Sequence, residues 1–98
     1  MVILEIELVV KEGQNSEVKK RFNENFTPAI RHQSGFYNAL FLEQLEIRDN
    51  CMILLFFDTE KQRLDWVSSD EHDPAWESIV ELLNSFTAKS YRIVEKVR

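Results

Sequence analysis

The sequence predicts an α+β fold, a four-stranded antiparallel sheet with two helices on one face, and three observations predict it. From Val2 to Val10 the even positions are Val, Leu, Ile, Leu and Val, while Glu5, Glu7 and Lys11 fall on odd ones, the alternation of a strand with one apolar face. Apolar residues recur at helical spacing after Asn15 and again after Thr59. Cys51-Met-Ile-Leu-Leu-Phe-Phe57 is apolar at every position, as in a strand buried on both faces. The order strand, helix, strand, strand, helix, strand is the split βαβ, or ferredoxin-like βαββαβ, plan. A single domain spans residues 1–98.

Taken in order, the first strand leads into a turn at Glu12-Gly13-Gln14-Asn15, where Asn15 or Ser16 can cap the first helix. Val18, Phe22, Phe26 and Ala29/Ile30 form its apolar stripe, Pro28 predicts a kink or early end, and Gly35 supplies the stop. Phe36 to Ile47 and Cys51 to Phe57 read as two strands joined at Arg48-Asp49-Asn50. Thr59 followed three residues later by Gln62 has the spacing of a capping box, starting a helix whose apolar side is Leu64, Trp66 and Val67. Asp73-Pro74 restarts a helix, with Asp at the cap, Pro in the first turn, and Trp76, Ile79, Val80 and Leu83 as its buried stripe. Tyr91, Ile93 and Val97 mark the final strand.

The totals exclude several classes. The chain is 44% hydrophobic and 30% charged, with two Gly and two Pro, a globular composition. A net charge of −5 with 12 basic residues argues against nucleic acid and against an anionic membrane surface. Cys51 is the single cysteine, which rules out an internal disulfide or thiolate cluster and fits a reducing, cytoplasmic setting. Glu5 and Glu7 interrupt the first apolar run and no basic region precedes it, so it does not read as a signal peptide. No stretch reaches the roughly 20 apolar residues of a membrane helix. With no Gly-rich turn between strand and helix, no flavin or nicotinamide cofactor is expected.

Two helices cover one face of a sheet, yet the 51–57 strand and Phe36-Tyr-Asn-Ala-Leu-Phe-Leu42 are apolar on both faces. A patch that large rarely stays in water, so the sequence predicts a homodimer with two-fold symmetry, sheet against sheet. Glu5 and Glu7 would then point between the sheets and need Arg92, Lys96 or Arg48 as partners.

Ile53-Leu-Leu-Phe-Phe-Asp-Thr-Glu-Lys-Gln-Arg-Leu-Asp-Trp66-Val-Ser-Ser-Asp70 resembles the strand-to-helix signature of the antibiotic biosynthesis monooxygenase family, and Pro28 through Gly35-Phe36 resembles its exit from the first helix. The likeness covers essentially the whole chain and implies a dimeric α/β barrel. That barrel hosts cofactor-independent oxygenases of polyketide quinols, heme-degrading enzymes and isomerases. The heme-degrading branch carries an Asn on the first strand, a Trp in the second helix, and an iron-ligating His ten residues after the Trp. Here Trp66 is present, but Trp76 stands at the ligand position and Ile6 at the Asn position. An indole nitrogen only donates, so the resemblance implies neither heme nor another metal.

Several residues are candidates for a site. Trp66, Trp76, Phe57, Phe41 and Tyr37 could line an aromatic pocket that grips a flat ring. Asn38 could donate to an oxyanion, and His72 could accept a proton from a phenolic substrate. Packing explains the aromatics equally well, and His72, between Asp70, Glu71 and Asp73, also fits a solvated loop. His32 near the end of the first helix is placed to meet the helix dipole, and Cys51 reads as a small buried residue. Two functions follow: a cofactor-independent monooxygenase of a quinol- or anthrone-like aromatic, or a non-catalytic dimer that binds a small apolar molecule or serves a stress role.

Overall fold

A computed structural model describes residues 1–98. The elements run β1 (Val2–Val10), α1 (Asn15–Arg21), a π-turn (Phe22–Phe26), α2 (Thr27–Arg31), β2 (Phe36–Glu43), β3 (Asn50–Phe57), α3 (Glu60–Val67), α4 (His72–Val80) and β4 (Leu83–Arg92). The four strands form one antiparallel sheet in the order β2-β3-β1-β4. The expected ferredoxin-like plan is therefore the fold, with the helices packed on one face. No helix is long and apolar enough to cross a membrane.

Strand parity divides the sheet. Val2, Leu4, Ile6, Leu8 and Val10 of β1 and Cys51, Ile53, Leu55 and Phe57 of β3 are buried beneath the helices. Val18, Phe22, Phe26, Ile30, Trp66, Ala75 and Ile79 descend on them from the helical layer. The other face carries Ile3, Glu5, Glu7 and Val9, paired in register with Phe56, Leu54, Met52 and Asn50 of β3. Leu40 and Leu42 extend that outer face across β2, and nothing in the chain lies over it.

Pro28 acts through the turn before it. It has no N–H to offer the carbonyl four residues back, and the ladder slips so that the Thr27 N–H reaches the Phe22 carbonyl, a π-turn. The wider turn brings Phe22 and Phe26 into a stack at 5.6 Å. Asn15, expected as a cap, makes no capping bond. Its Nδ2 instead donates to the Arg48 carbonyl at 2.7 Å, and its Oδ1 accepts from Cys51 Sγ at 3.4 Å, which ties α1 to the β2–β3 turn. Burial, the largest cause, pushes the Cys51 thiol above its ordinary range.

Other expectations are corrected. β2 ends at Glu43 rather than Ile47, because the Gln44 and Asn50 backbones close a turn that throws Leu45 outward, 92% exposed. β4 begins at Leu83, inside the stretch read as helix, and ends at Arg92, before Ile93 and Val97. Phe86, Ala88 and Ser90 face inward along it, too mixed in size and polarity to mark a strand. On α3 only Trp66 is buried, while Leu64 and Val67 are exposed because the helix lies over the sheet on one narrow edge. α4 starts at His72 without a side-chain cap, since the Asp73 carboxylate is engaged by His72 instead. Opposite Glu5 stands Lys89, and Glu7 accepts from Thr87 Oγ1 at 3.3 Å. Arg92 shares its register position with Val2 on the inner-face parity, Arg48 sits in the turn, and Lys96 lies beyond β4.

The capping box is present as expected: Thr59 Oγ1 accepts from the Gln62 N–H at 3.3 Å, and Gln62 Oε1 accepts from the Thr59 N–H at 3.2 Å. Gly35, at φ 77°, makes room for it, because a Cβ there would collide with the Gln62 side chain. Gly13, at φ 81°, has nothing within 4 Å of that position. Gly13→Ala should therefore cost only the left-handed strain, about 1–2 kcal/mol. Gly35→Ala adds the loss of the cap, roughly 2–3 kcal/mol in all. Urea unfolding at fixed protein concentration compares the two, and equal losses would contradict the role given to Gln62.

Candidate functional site

A cavity of about 240 Å³ lies between the helical layer and the β1–β4 half of the sheet. Leu4 and Ile6 of β1, Leu55 of β3 and Phe86 and Ala88 of β4 make its floor, and Phe26, Trp66, Val67 and Trp76 its apolar walls. Its hydrogen-bonding side chains are Arg63, His72 and the indoles of Trp66 and Trp76. The break between α3 and α4 puts them together. Arg63 and Trp66 are three apart on α3 and so share a face. The turn after Val67 then folds α4 back, so that its first residue, His72, meets Trp66 edge-on with ring centroids 5.1 Å apart.

Each group is held by a neighbour. His72 is not the solvated loop residue of the plain reading: its side chain is 18% exposed, and its Nδ1 lies 2.9 Å from Asp73 Oδ1. An ionised carboxylate only accepts, so Nδ1 carries the proton of that bond and the neutral ring keeps its lone pair on Nε2. The Arg63 Nε donates to Glu60 Oε1 at 2.7 Å, fixing a guanidinium whose side chain is 15% exposed. Trp66 is fully buried, and its Nε1–H finds no acceptor in the protein. A buried donor without a partner is rare enough to require an explanation, and here it belongs to a side chain of the cavity wall.

Of the residues singled out from sequence, Trp66, Trp76 and His72 converge on this cavity. The rest do not. Phe57 is wholly buried in the core, where Phe36 meets it at 5.9 Å. Phe41 packs on Phe22 at 5.3 Å, near the opposite end of the sheet. Tyr37 falls in the irregular pairing between Phe36 and Asn38 and is 66% exposed. That irregularity shifts parity, so Asn38 pairs with Phe56 on the outer face, where its Oδ1 accepts from the Ala39 N–H at 2.8 Å. Arg63 and Phe86 went unnoticed in the sequence. The Arg63-x-x-Trp66 spacing could have marked the first, whereas Phe86 lay in a strand with no periodic signal.

A larger hollow, about 450 Å³, lies at the Glu43–Asn50 end of the sheet. It is lined by the carboxylates Glu7 and Glu43, the amides Gln44 and Asn50 and the Cys51 thiol, whereas the histidine, the arginine and both tryptophan indoles line the smaller cavity.

A family model for antibiotic biosynthesis monooxygenase matches residues 1–78. The chain belongs to that family. No curated protein matches it in sequence. Solved structures agree with the family fold at low identity. The cofactor-independent oxygenase SnoaB of Streptomyces nogalater superposes with a TM-score of 0.88 at 11% identity, over 98% of this chain and 95% of that one. A conserved protein from Methanosarcina mazei gives 0.82 at 15%, over 93% and 90% of the two chains. A conserved protein of unknown function from Bacteroides thetaiotaomicron gives 0.78 at 14%, over 92% and 94%. These likenesses extend the fold to the whole chain, including the residues after 78. In this monooxygenase-family chain Ile6 and Trp76 both line the cavity, and neither side chain offers a lone pair to iron.

The second histidine braces the site from outside. His32 Nε2 lies 2.8 Å from Glu71 Oε1, which also accepts from Gln33 Nε2 at 3.1 Å, and His32 Nδ1 lies 3.2 Å from the Pro28 carbonyl. The bond to the Glu71 carboxylate, followed by its charge and the Pro28 carbonyl, raises the His32 pKa above 6.5. Because the folded value is the higher one, this pairing stabilises the fold at pH below the unfolded value and is lost as pH rises through the folded one. The melting-temperature gap between wild type and Glu71→Gln should thus be present near pH about 5.5 and fade by about 8.5. A gap that is constant across that range would contradict the pairing.

Proposed function

We propose that this chain is a cofactor-independent monooxygenase acting on a small electron-rich aromatic such as a quinol. The observation that carries the reading is an apolar, aromatic-walled cavity whose polar groups are an oriented histidine, an arginine and two indoles, one of them with an unpartnered N–H. Such a lining suits a flat ring bearing oxygens.

In this reading His72 Nε2 removes a proton from the substrate, and Asp73 positions the ring. Arg63 and the Trp66 N–H face the oxygen that becomes negative, where donors in a dry site act most strongly. The electron-rich anion itself reduces dioxygen. A carbon–oxygen bond forms, and the proton taken by His72 completes a hydroperoxide; loss of the hydrogen on that carbon then breaks the O–O bond, leaving a carbonyl while the departing hydroxide and that proton leave as water. Dioxygen is the oxidant and the substrate the reductant, so the chain's own part is to bind, orient, exclude water and move protons.

The working form proposed is a cytoplasmic homodimer, its two bare sheet faces packed together over Leu40, Leu42, Met52, Leu54 and Phe56. Light scattering should give twice the mass of one chain for the wild type and a single chain's mass for Leu54→Lys, and a monomeric wild type contradicts this pairing.

Oxygen uptake with 1,4-dihydroxynaphthalene tests the chemistry. His72→Ala should lower kcat/KM by roughly 10²- to 10⁴-fold, the usual value of a positioned base. Trp66→Phe, which keeps the aromatic wall and deletes the donor, should lower it by roughly 10²- to 10³-fold. No uptake above the uncatalysed rate, together with saturable quenching of indole fluorescence, would instead make the protein a binder of small apolar molecules.

A further inference from the structure

The walls of the cavity differ in how far they can yield. Trp66 is fully enclosed. Phe26 is gripped on three sides, edge-on to Trp66 at 5.7 Å, to Trp76 at 6.5 Å, and stacked on Phe22 within the π-turn. Moving either would undo close packing in the core, where a single methylene is felt. The β4 end is built otherwise. Its inward positions place a large residue beside a small one, and while Ala88 leaves the floor open, Phe86 closes it by meeting Trp76 edge-on at 5.0 Å. Although it faces the helices, Phe86 is 43% exposed, because no helix passes over that part of β4.

We infer that Phe86, braced by Trp76, sets the size of substrate, so that the cavity takes hydroxylated aromatics of one or two fused rings and turns away three-ring ones. The inference rests on the reading of this cavity as the oxygenase site and narrows its substrate class. The volume points the same way: about 240 Å³ lies under the roughly 300–1,000 Å³ of pockets that enclose drug-sized molecules. Phe86 is the wall residue whose truncation lengthens the cavity without opening the core, since it stands on an edge strand and is already half in water. It is a specificity residue and takes no part in moving the proton.

The test compares kcat/KM for oxygen uptake with 1,4-dihydroxynaphthalene and with anthrone, in wild type and Phe86→Ala. Wild type should favour the two-ring compound by about tenfold or more, the scale on which apolar pockets discriminate by size. Phe86→Ala should bring the ratio to within about threefold, chiefly by raising the three-ring value. Equal use of both compounds by the wild type overturns the inference, as does an unchanged ratio in a Phe86→Ala protein whose circular dichroism matches wild type. A second arm needs no turnover: fluorescence titration with 1,2-naphthoquinone-4-sulfonate and anthraquinone-2-sulfonate reads the same preference as binding. If neither reduced compound is consumed, the oxygenase reading fails and the binding ratio still decides the size limit. If both are consumed alike, the oxygenase reading stands and the size limit falls.

Discussion

The burial of one indole at the junction of two short helices holds this fold and its cavity together. Trp66 is the only residue of α3 that is fully enclosed, so it is the anchor by which that helix is fixed to the sheet. Phe26 from the π-turn and His72 from α4 both rest edge-on against it. Three separate helical segments are thereby located by a single side chain. Burying an aromatic of this size is worth several kcal/mol by area, enough to offset the donor that Trp66 leaves without a partner.

That geometry has a cost in coverage. α3 and α4 are eight and nine residues long, and the turn between them lets both lean on Trp66 instead of running along the sheet. They protect β1 and β3 and leave the inner side of β4 half bare. The cavity is the space left by that shortfall, and it is floored by strand residues and walled by aromatics for the same reason. The opposite sheet face is bare for a simpler reason: one helical layer has one side. Hydrophobic strands therefore create both the enclosed core and the outer apolar surface, and only the core is completed within the chain.

Much of this was legible in the sequence because it follows from local rules. The alternation in β1, the unbroken apolar run of β3 and the Thr59–Gln62 box each map onto a backbone requirement that neighbours do not override. Pro28 announced a break in the first helix, but its realisation as a π-turn depends on where Phe22 and Phe26 find partners, which is tertiary information. β4 was misplaced because its inner residues, Phe86, Ala88 and Ser90, are too mixed in size and polarity to show a period, and its outer ones are polar. The site divided in the same way. Trp66, Trp76 and His72 were visible as rare residues near a helix break, whereas Tyr37 and Asn38 were misjudged because a one-residue irregularity in β2 flips which face they occupy. Arg63 escaped notice as one more surface charge, and only the fold shows that it shares a wall with Trp66.

The claim on which the functional account depends is that the Trp66 cavity is where ligand binds. With two tryptophans in the chain, a ¹⁵N–¹H correlation spectrum carries two indole N–H signals, each assignable by a single Trp→Phe variant. Titration with 1,2-naphthoquinone-4-sulfonate should shift the Trp66 indole signal downfield, as a buried donor that had no acceptor gains one, with further shifts at Arg63 and Phe86. Shifts confined to Leu40, Leu42, Met52 and Leu54 on the outer sheet face, with both indole signals unmoved, would contradict it.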